Sequence, residues 1–301
     1  MARPLRLATR GSAQATAQSH AVADALRAAH PGLDVDLVFV ETLGDQRTDL
    51  PLHTIGGQGV FVKEVQRAVL DGHADLAVHS AKDLPSITAG GLHLAAFCAR
   101  RDPRDALVGA TLADLPHGAT VATGSVRRRA LLAAERPDLQ FVELRGNIHT
   151  RLAKLPEGGA LVMAVAALQI LELTDRIAEA LEVDRMVPAP GQGCVAIECR
   201  EGDATTAALL AAVDHAPTRA AVTAERAFLA ELGTGCSLPV AAHAERVDGD
   251  LLLHAFLADP ATGRHVRAVA SLAADPAEHT REAATVARDL QAALAADAPE
   301  A

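Results

Sequence analysis

Short apolar runs alternate with longer amphipathic runs along most of this chain, and that alternation limits its fold more than any single motif. "LRLATR" at 5–10 has strand character, and "SAQATAQSHAVADALRAAH" at 12–30 has helical spacing opened by Ser12. "VDLVFVET" returns to strand, and "VFVKEVQRAVLDG" is an amphipathic helix closed by Gly72. "ADLAVHS" and "LHLAAFCA" are again strand-like. Strands joined by helix-length connections predict an α/β layer with a largely parallel sheet.

A second set of the same kind begins after the polar stretch "RRDPRDALVG". "ATVATG" is a strand, Ser125 opens a helix through "VRRRALLAAER", and "LQFVELRG" is a strand. Asn147 opens a helix through "IHTRLAKL", "GALVMAVAAL" reads as a buried strand, and "DRIAEAL" as a short helix. "VPAPGQG" then crosses back to a strand, "CVAIECR", and its Pro188, Pro190, Gly191 and Gly193 suit a hinge. The remainder changes character. A helix through "TRAAVTAERAFLAEL", capped by Thr218, precedes three strands joined by Asp/Gly turns, and a last helix begins near Asp275. No internal sequence repeat stands out. A chain of 301 residues exceeds one core. The expected division is one α/β lobe from 1–98 and 194–214, a second from 99–193, and a small α+β domain over 215–301 with a three-stranded antiparallel sheet and helices.

Composition narrows the function. With no Trp, no Tyr and 2% aromatic residues, the chain lacks stacking platforms for single-stranded nucleic acid. A formal charge of −10 disfavours non-specific phosphate-backbone binding, so no nucleic-acid partner is expected. No run reaches transmembrane length and the first residues lack a signal-peptide core, so no membrane partner is expected. The four cysteines form neither a disulfide framework nor a zinc pattern, which fits a reducing cytoplasm and no structural metal. The thirteen histidines are scattered and read mostly as surface or loop residues.

Within this acidic chain, basic residues gather where strands give way to helices. Arg10 precedes Gly11 and Ser12; Thr123 and Ser125 precede Arg127 and Arg128; Arg145 and Gly146 precede Asn147, with Arg151 one helical turn on. Lys82 follows the "AVHS" strand. Ligands of open α/β sheets sit beyond the carboxyl ends of strands, where helix N-termini and guanidinium forks favour anions. Neither GxxxxGK[ST] nor GxGxxG is present, so carboxylates suit these arginines better than phosphates. Asp83, beside Lys82, is either one half of a surface ion pair or a carboxylate facing a cationic or N–H part of the ligand. Cys236, in the loop "LGTGCSLP", is either a small buried residue or an accessible thiol that holds a tethered group.

These motifs, in this order, resemble the porphobilinogen deaminase (hydroxymethylbilane synthase) family over nearly the whole chain. The matching stretches are "LATRGS", "GVFVKE", "DLAVHSAKDLP", "RDPRDA", "GSVRRR", "LRGNIHTRL", "PAPGQG", "IECR", "VTAERA" and "GCSLP". The resemblance implies two periplasmic-binding-protein-like α/β lobes and a small third domain. It implies a dipyrromethane cofactor, covalently bound through a thioether to Cys236. The implied transferase joins four porphobilinogen units head to tail into hydroxymethylbilane with release of ammonia, as a monomer. Asp83 matches the catalytic aspartate. Arg10, Ser12, Lys82, Thr123, Ser125, Arg127, Arg128, Arg145, Gly146, Arg151 and Gln192 match cofactor- or substrate-binding positions, whereas Arg129 reads as a solvated helix charge. Thr54, Gln58 and Ile170 stand where relatives often carry basic residues, and Gly124 where a hydroxyl is common, which implies weaker ligand binding. A solute-binding protein on the same fold, or a homologue with reduced turnover, remains an alternative at this point.

Overall fold

A computed structural model describes residues 3–42, 59, 62–233, 238–273, 275 and 277–296. Its helices and strands, in chain order, begin with β1 (Leu5–Arg10), α1 (Ala13–Ala29), β2 (Val35–Val40), α2 (Lys63–Leu70), β3 (Leu76–Ser80) and β4 (Leu92–Phe97). Next come β5 (Asp105–Val108), β6 (Thr120–Ala122), α3 (Val126–Glu135), β7 (Gln140–Val142), α4 (Ile148–Leu152), β8 (Ala160–Ala164), α5 (Val165–Gln169) and β9 (Glu179–Leu181). The chain ends with β10 (Val195–Arg200), α6 (Ala204–Leu210), α7 (Ala216–Glu231), β11 (Val240–Val247), β12 (Asp250–Ala258), β13 (His265–Leu272) and α8 (His279–Ala296). It divides into one unit of residues 1–101 and 193–219 and a second of 102–192 and 220–301.

The first unit is built on a sheet of order β2-β1-β3-β10-β4. β1 runs parallel to β2 and β3, while β10 runs antiparallel to β3 and β4. Alternation along β1 sends Leu5 and Leu7 to one face and Ala8 to the other. The first face packs on Val22, Ala23 and Leu26 of α1, and the second on Val65 and Val69 of α2. Ser12 ends the β1 turn by accepting the Ala15 N–H at 3.3 Å, which fixes where α1 starts. At the opposite end of the strands, buried Asp75 holds Arg3 and Arg6.

The second unit repeats that order as β7-β6-β8-β5-β9, with β6 parallel to β7 and β8 and with β5 antiparallel to β8 and β9. The repeat is one of topology, since the sequence shows none. In each unit the antiparallel strand is the one that follows the chain's arrival from the other unit. The same unit holds the antiparallel β11-β12-β13 sheet, packed against α7 and α8 through Phe228, Leu253, Ala283 and Leu290. Ala241 and Phe256 of that sheet share a core with Leu107, Val121 and Leu131, which joins the small domain to the second lobe.

Two α/β lobes and a small α+β domain agree with the expectation, and four local readings are corrected. Residues 105–108, read as part of a polar stretch, form the fully buried strand β5. The Arg/Asp run around them masked its apolar pattern. Residues 179–181 are strand β9 and not helix, because pairing with β5 overrides the helix preference of Glu, Ala and Leu. The apolar run after Ala164 turns into α5, since a buried helix and a buried strand share the same composition. α7 begins at Ala216, so Thr218 lies inside its first turn, where its Oγ1 is 2.8 Å from His215 Nδ1. Among the described residues, no helix is long and apolar enough to cross a membrane.

Candidate active site

In the first unit, the carboxyl ends of β1 and β3 frame a pocket lined by Arg10, Ser12, Gln14, Gln18, His79, Ser80 and Asp83, among others. β3 ends at Ser80, and Ala81–Asp83 make a single tight turn. Ala81 is buried and gives its N–H to the Cys194 carbonyl at 2.9 Å; Leu84, on the other side, is 2% exposed. These two apolar anchors leave Asp83 exposed on the turn, at the mouth of the pocket. Ser80 is held from below by the Gln14 and Gln18 side chains at 3.4 and 3.1 Å. Lys82 is half-buried and has a partner of its own.

Beneath the turn lies a polar cluster that the sequence did not disclose. His79 is buried, with Nε2 3.1 Å from Glu198 Oε2. Glu198 is 1% exposed and accepts the Gln66 amide at 2.9 and 3.1 Å. Among the described histidines most are exposed or half-buried, as expected, and the exceptions are the buried His79, His243 and His279. The readable signal for the cluster was Glu198 itself, an acid inside an apolar strand.

In the second unit, Ser125 caps α3 by accepting the Arg128 N–H at 3.4 Å. Thr123 is buried, and its Oγ1 accepts the Ser125 N–H at 3.2 Å. Arg127 and Arg128 turn inward and meet Asp105, which is 0% exposed. Arg128 donates through Nε and Nη2 to Asp105 Oδ1 at 3.0 and 2.7 Å, and through Nη1 to the Val162 carbonyl. Arg127 Nη1 lies 2.7 Å from Asp105 Oδ2 and donates to the Val187 carbonyl. Gln192 donates to Asp105 Oδ1 at 3.0 Å and to the Pro103 carbonyl at 2.7 Å. Three expected site residues therefore converge on one carboxylate that the sequence reading passed over. Burial alone would push the Asp105 carboxyl up, but the guanidiniums outweigh it and hold the group well below the usual carboxylate range.

Arg145, Gly146 and Arg151 form a second basic corner. Asn147 caps α4 through the Thr150 N–H, and Arg151 Nε donates to the Gly146 carbonyl at 2.7 Å. Gly146 has φ of 117°, and a Cβ there would lie 2.8 Å from the Thr150 side chain, so the turn requires glycine. Arg145 is half-buried, and its Nη1 is buried with no hydrogen-bond partner among the described residues. Arg129 is exposed, as expected of a solvated charge, and sits 5.8 Å over the Phe141 ring. Ile170 is half-buried at the end of α5. Cys236, Thr54 and Gln58 lie outside the described residues. No group of three or more His, Cys, Asp or Glu side chains among the described residues is placed to hold a metal ion.

Comparison with known proteins bears on the whole chain. The pattern described as "Porphobilinogen deaminase, dipyromethane cofactor binding domain" matches residues 5–208, and that of the "Porphobilinogen deaminase, C-terminal domain" matches 219–292. The porphobilinogen deaminase of Roseiflexus castenholzii is 50% identical over 283 residues, covering 92% of this chain and 93% of that protein. That of Syntrophotalea carbinolica is 48% identical over 260 residues, covering 85% and 82%. A solved nutrient-binding protein from Burkholderia cenocepacia aligns over 71% of this chain and 93% of its own at 14% identity and a TM-score of 0.44, too distant to carry an argument. Two family patterns in the right order, and relatives at half identity along nearly the full length, place the chain in the porphobilinogen deaminase family.

Proposed function

We propose that this chain joins four porphobilinogen units head to tail into hydroxymethylbilane, releasing one ammonia at each addition. The observation that carries the reading is the pocket at the carboxyl ends of β1 and β3, which Asp83, Arg10 and Ser12 all line. Porphobilinogen carries acid arms and a cationic aminomethyl group. Arg10, the Ser12 hydroxyl and Lys82 take the arms, and Asp83 faces the nitrogen side. When the amino group leaves as ammonia, Asp83 stabilises the cationic ring that remains and holds its N–H. The carbon–carbon bond then forms, and the proton on the attacked ring carbon is lost. After the fourth addition the bond holding the finished chain breaks with return of a proton to the ring carbon left behind. Water adds to the freed cationic carbon and loses a proton, giving the hydroxymethyl end.

A covalent dipyrromethane fits the residues present. The second unit holds two guanidiniums against one carboxylate, and an Arg145 nitrogen buried without a partner among the described residues, which suits an acid-bearing group. Thr123, Ser125, Arg127, Arg128, Arg145, Gly146, Arg151 and Gln192 would hold acid arms, its own and those of porphobilinogen units as they arrive, and Cys236 its thioether. When bound, that group supplies the pyrrole carbon to which the first unit is added. The proposed domains are 1–98 with 194–214, 99–193 and 215–301. The protein acts as a cytoplasmic monomer on this small molecule, without nucleic acid or membrane.

Intact mass spectrometry of the purified chain tests the reading. The mass should exceed that of the sequence by one dipyrromethane, Cys236→Ser should remove the excess, and porphobilinogen should yield hydroxymethylbilane. A chain of sequence mass that releases no ammonia from porphobilinogen would overturn it.

A further inference from the structure

Asp105 stands at the first position of β5, across from Ala164, the last residue of β8, and so at the carboxyl edge of the second unit's parallel strands. It is fully buried, and Arg127 and Arg128 are 5% and 7% exposed. Two cations thus surround one anion, leaving one positive charge in excess in a desolvated place. Among the described residues Arg127 is engaged through Nη1 alone, so its Nε and Nη2 hydrogens remain for another acceptor. Gln192 adds a neutral donor to the same Oδ1 that takes Arg128, fixing the carboxylate from a third side.

We propose that Asp105 is a positioning residue that sets how tightly Arg127 and Arg128 hold a ligand carboxylate. It rests on the reading above that this pair takes acid arms. Asp105 aligns both guanidinium planes. It is also a permanent competitor, because an arriving carboxylate meets two attractions and one repulsion. A chain that grows by four additions needs its acid arms released after each one, and a pair without an internal anion would hold them too long. One like charge at this range in a partly dry site changes an equilibrium by about tenfold or more.

Charge counting gives the test. Asp105→Asn raises the excess charge of the cluster, Arg128→Gln removes it, and the double variant restores the original value. Full-length enzyme carrying its cofactor is assayed with porphobilinogen for KM and kcat separately. Asp105→Asn should lower KM about tenfold and lower kcat with it, because release slows. Arg128→Gln should raise KM about tenfold, and the double variant should return it to within about threefold of the parent. A purely structural role for Asp105 makes the double variant worse than Arg128→Gln alone, and that result overturns the proposal. Should Asp105→Asn not fold, the comparison of Arg128→Gln with the double variant decides alone. An unchanged KM in Arg128→Gln means that the pair does not take carboxylates, and the underlying reading fails along with this one. A raised KM there without recovery in the double variant defeats the Asp105 role and leaves that reading standing.

Discussion

Glu225 on α7 accepts the Gly191 N–H through Oε2 at 2.7 Å, tying the helix that precedes the cysteine loop to the turn that carries Gln192. Its Oε1 accepts the Ala244 N–H of β11 at 2.8 Å, and His243 Nδ1 stands 3.4 Å away. Glu225 is 0% exposed, and both its oxygens accept from backbone N–H groups of buried residues. The acid therefore links three parts of the second unit: the helix, the small sheet and the turn beside Asp105.

Removing that acid should loosen all three parts together. Charge-assisted hydrogen bonds are each worth about 1.5–3 kcal/mol, and two buried N–H groups lose their acceptor in Glu225→Ala. A loss of about 3 kcal/mol is expected in urea unfolding of the second unit. Glu225→Gln should recover only part of it, because one amide end presents hydrogens to a backbone donor. A change below about 1 kcal/mol for the alanine variant would show that water replaces the carboxylate.

Asp83 should behave in the opposite way. It is exposed on a turn that Ala81 and Leu84 anchor without its help. Asp83→Ala should therefore shift stability by no more than about 0.5 kcal/mol. Product formation should fall by about 100-fold or more, the range for a group that acts on charge or protons in the transition state. Thermal unfolding and the rate of hydroxymethylbilane formation, measured on one preparation, separate the two effects. A folded variant with near-normal turnover would remove Asp83 from the chemistry.

Much of this was legible in the residues because capping serines and strand-end glycines announce themselves locally. Ser12, Ser125 and Asn147 each cap the helix expected of them. The partners of those residues were not legible. Asp105 lay inside an Arg/Asp run that looked like a solvated loop, and its burial depends on two arginines more than twenty positions away. Glu198 and His79 meet only because β10 pairs with β3 in one register. Local chemistry fixes where a ligand-facing turn lies, whereas the acids that hold such turns are chosen by tertiary pairing.

Gly124 bears on one departure from the family pattern. A Cβ at that position would lie 2.8 Å from the Leu144 carbonyl oxygen and 2.9 Å from Glu143 Oε1. The missing hydroxyl is therefore not a simple loss, because this backbone leaves no room for it. Gly124→Ser should cost about 1–3 kcal/mol of stability through overpacking and should not lower KM for porphobilinogen. A stable variant with tighter substrate binding would mean that the turn relaxes, and that the absent hydroxyl weakens binding in the present chain.

Acid should unfold the first unit partly through Asp75. This carboxyl is 2% exposed on its side chain, and burial alone would push it up. Bonds from Arg3 and Arg6, at 2.9 and 3.1 Å, outweigh that and hold it well below the usual carboxylate range. A carboxyl depressed in the folded state binds its proton more readily in the unfolded chain. Its stabilisation is therefore fully present above the unfolded value, about 3.9, and is lost as pH falls toward the folded one. Asp75→Asn should cost about 2 kcal/mol at pH 7, and the gap from the parent should narrow as pH drops below about 4. Urea midpoints from pH 7 down to pH 2.5 follow that gap. A gap that stays constant over the range would mean that the arginines and the backbone N–H of Arg6 hold the neutral group as well as the charged one.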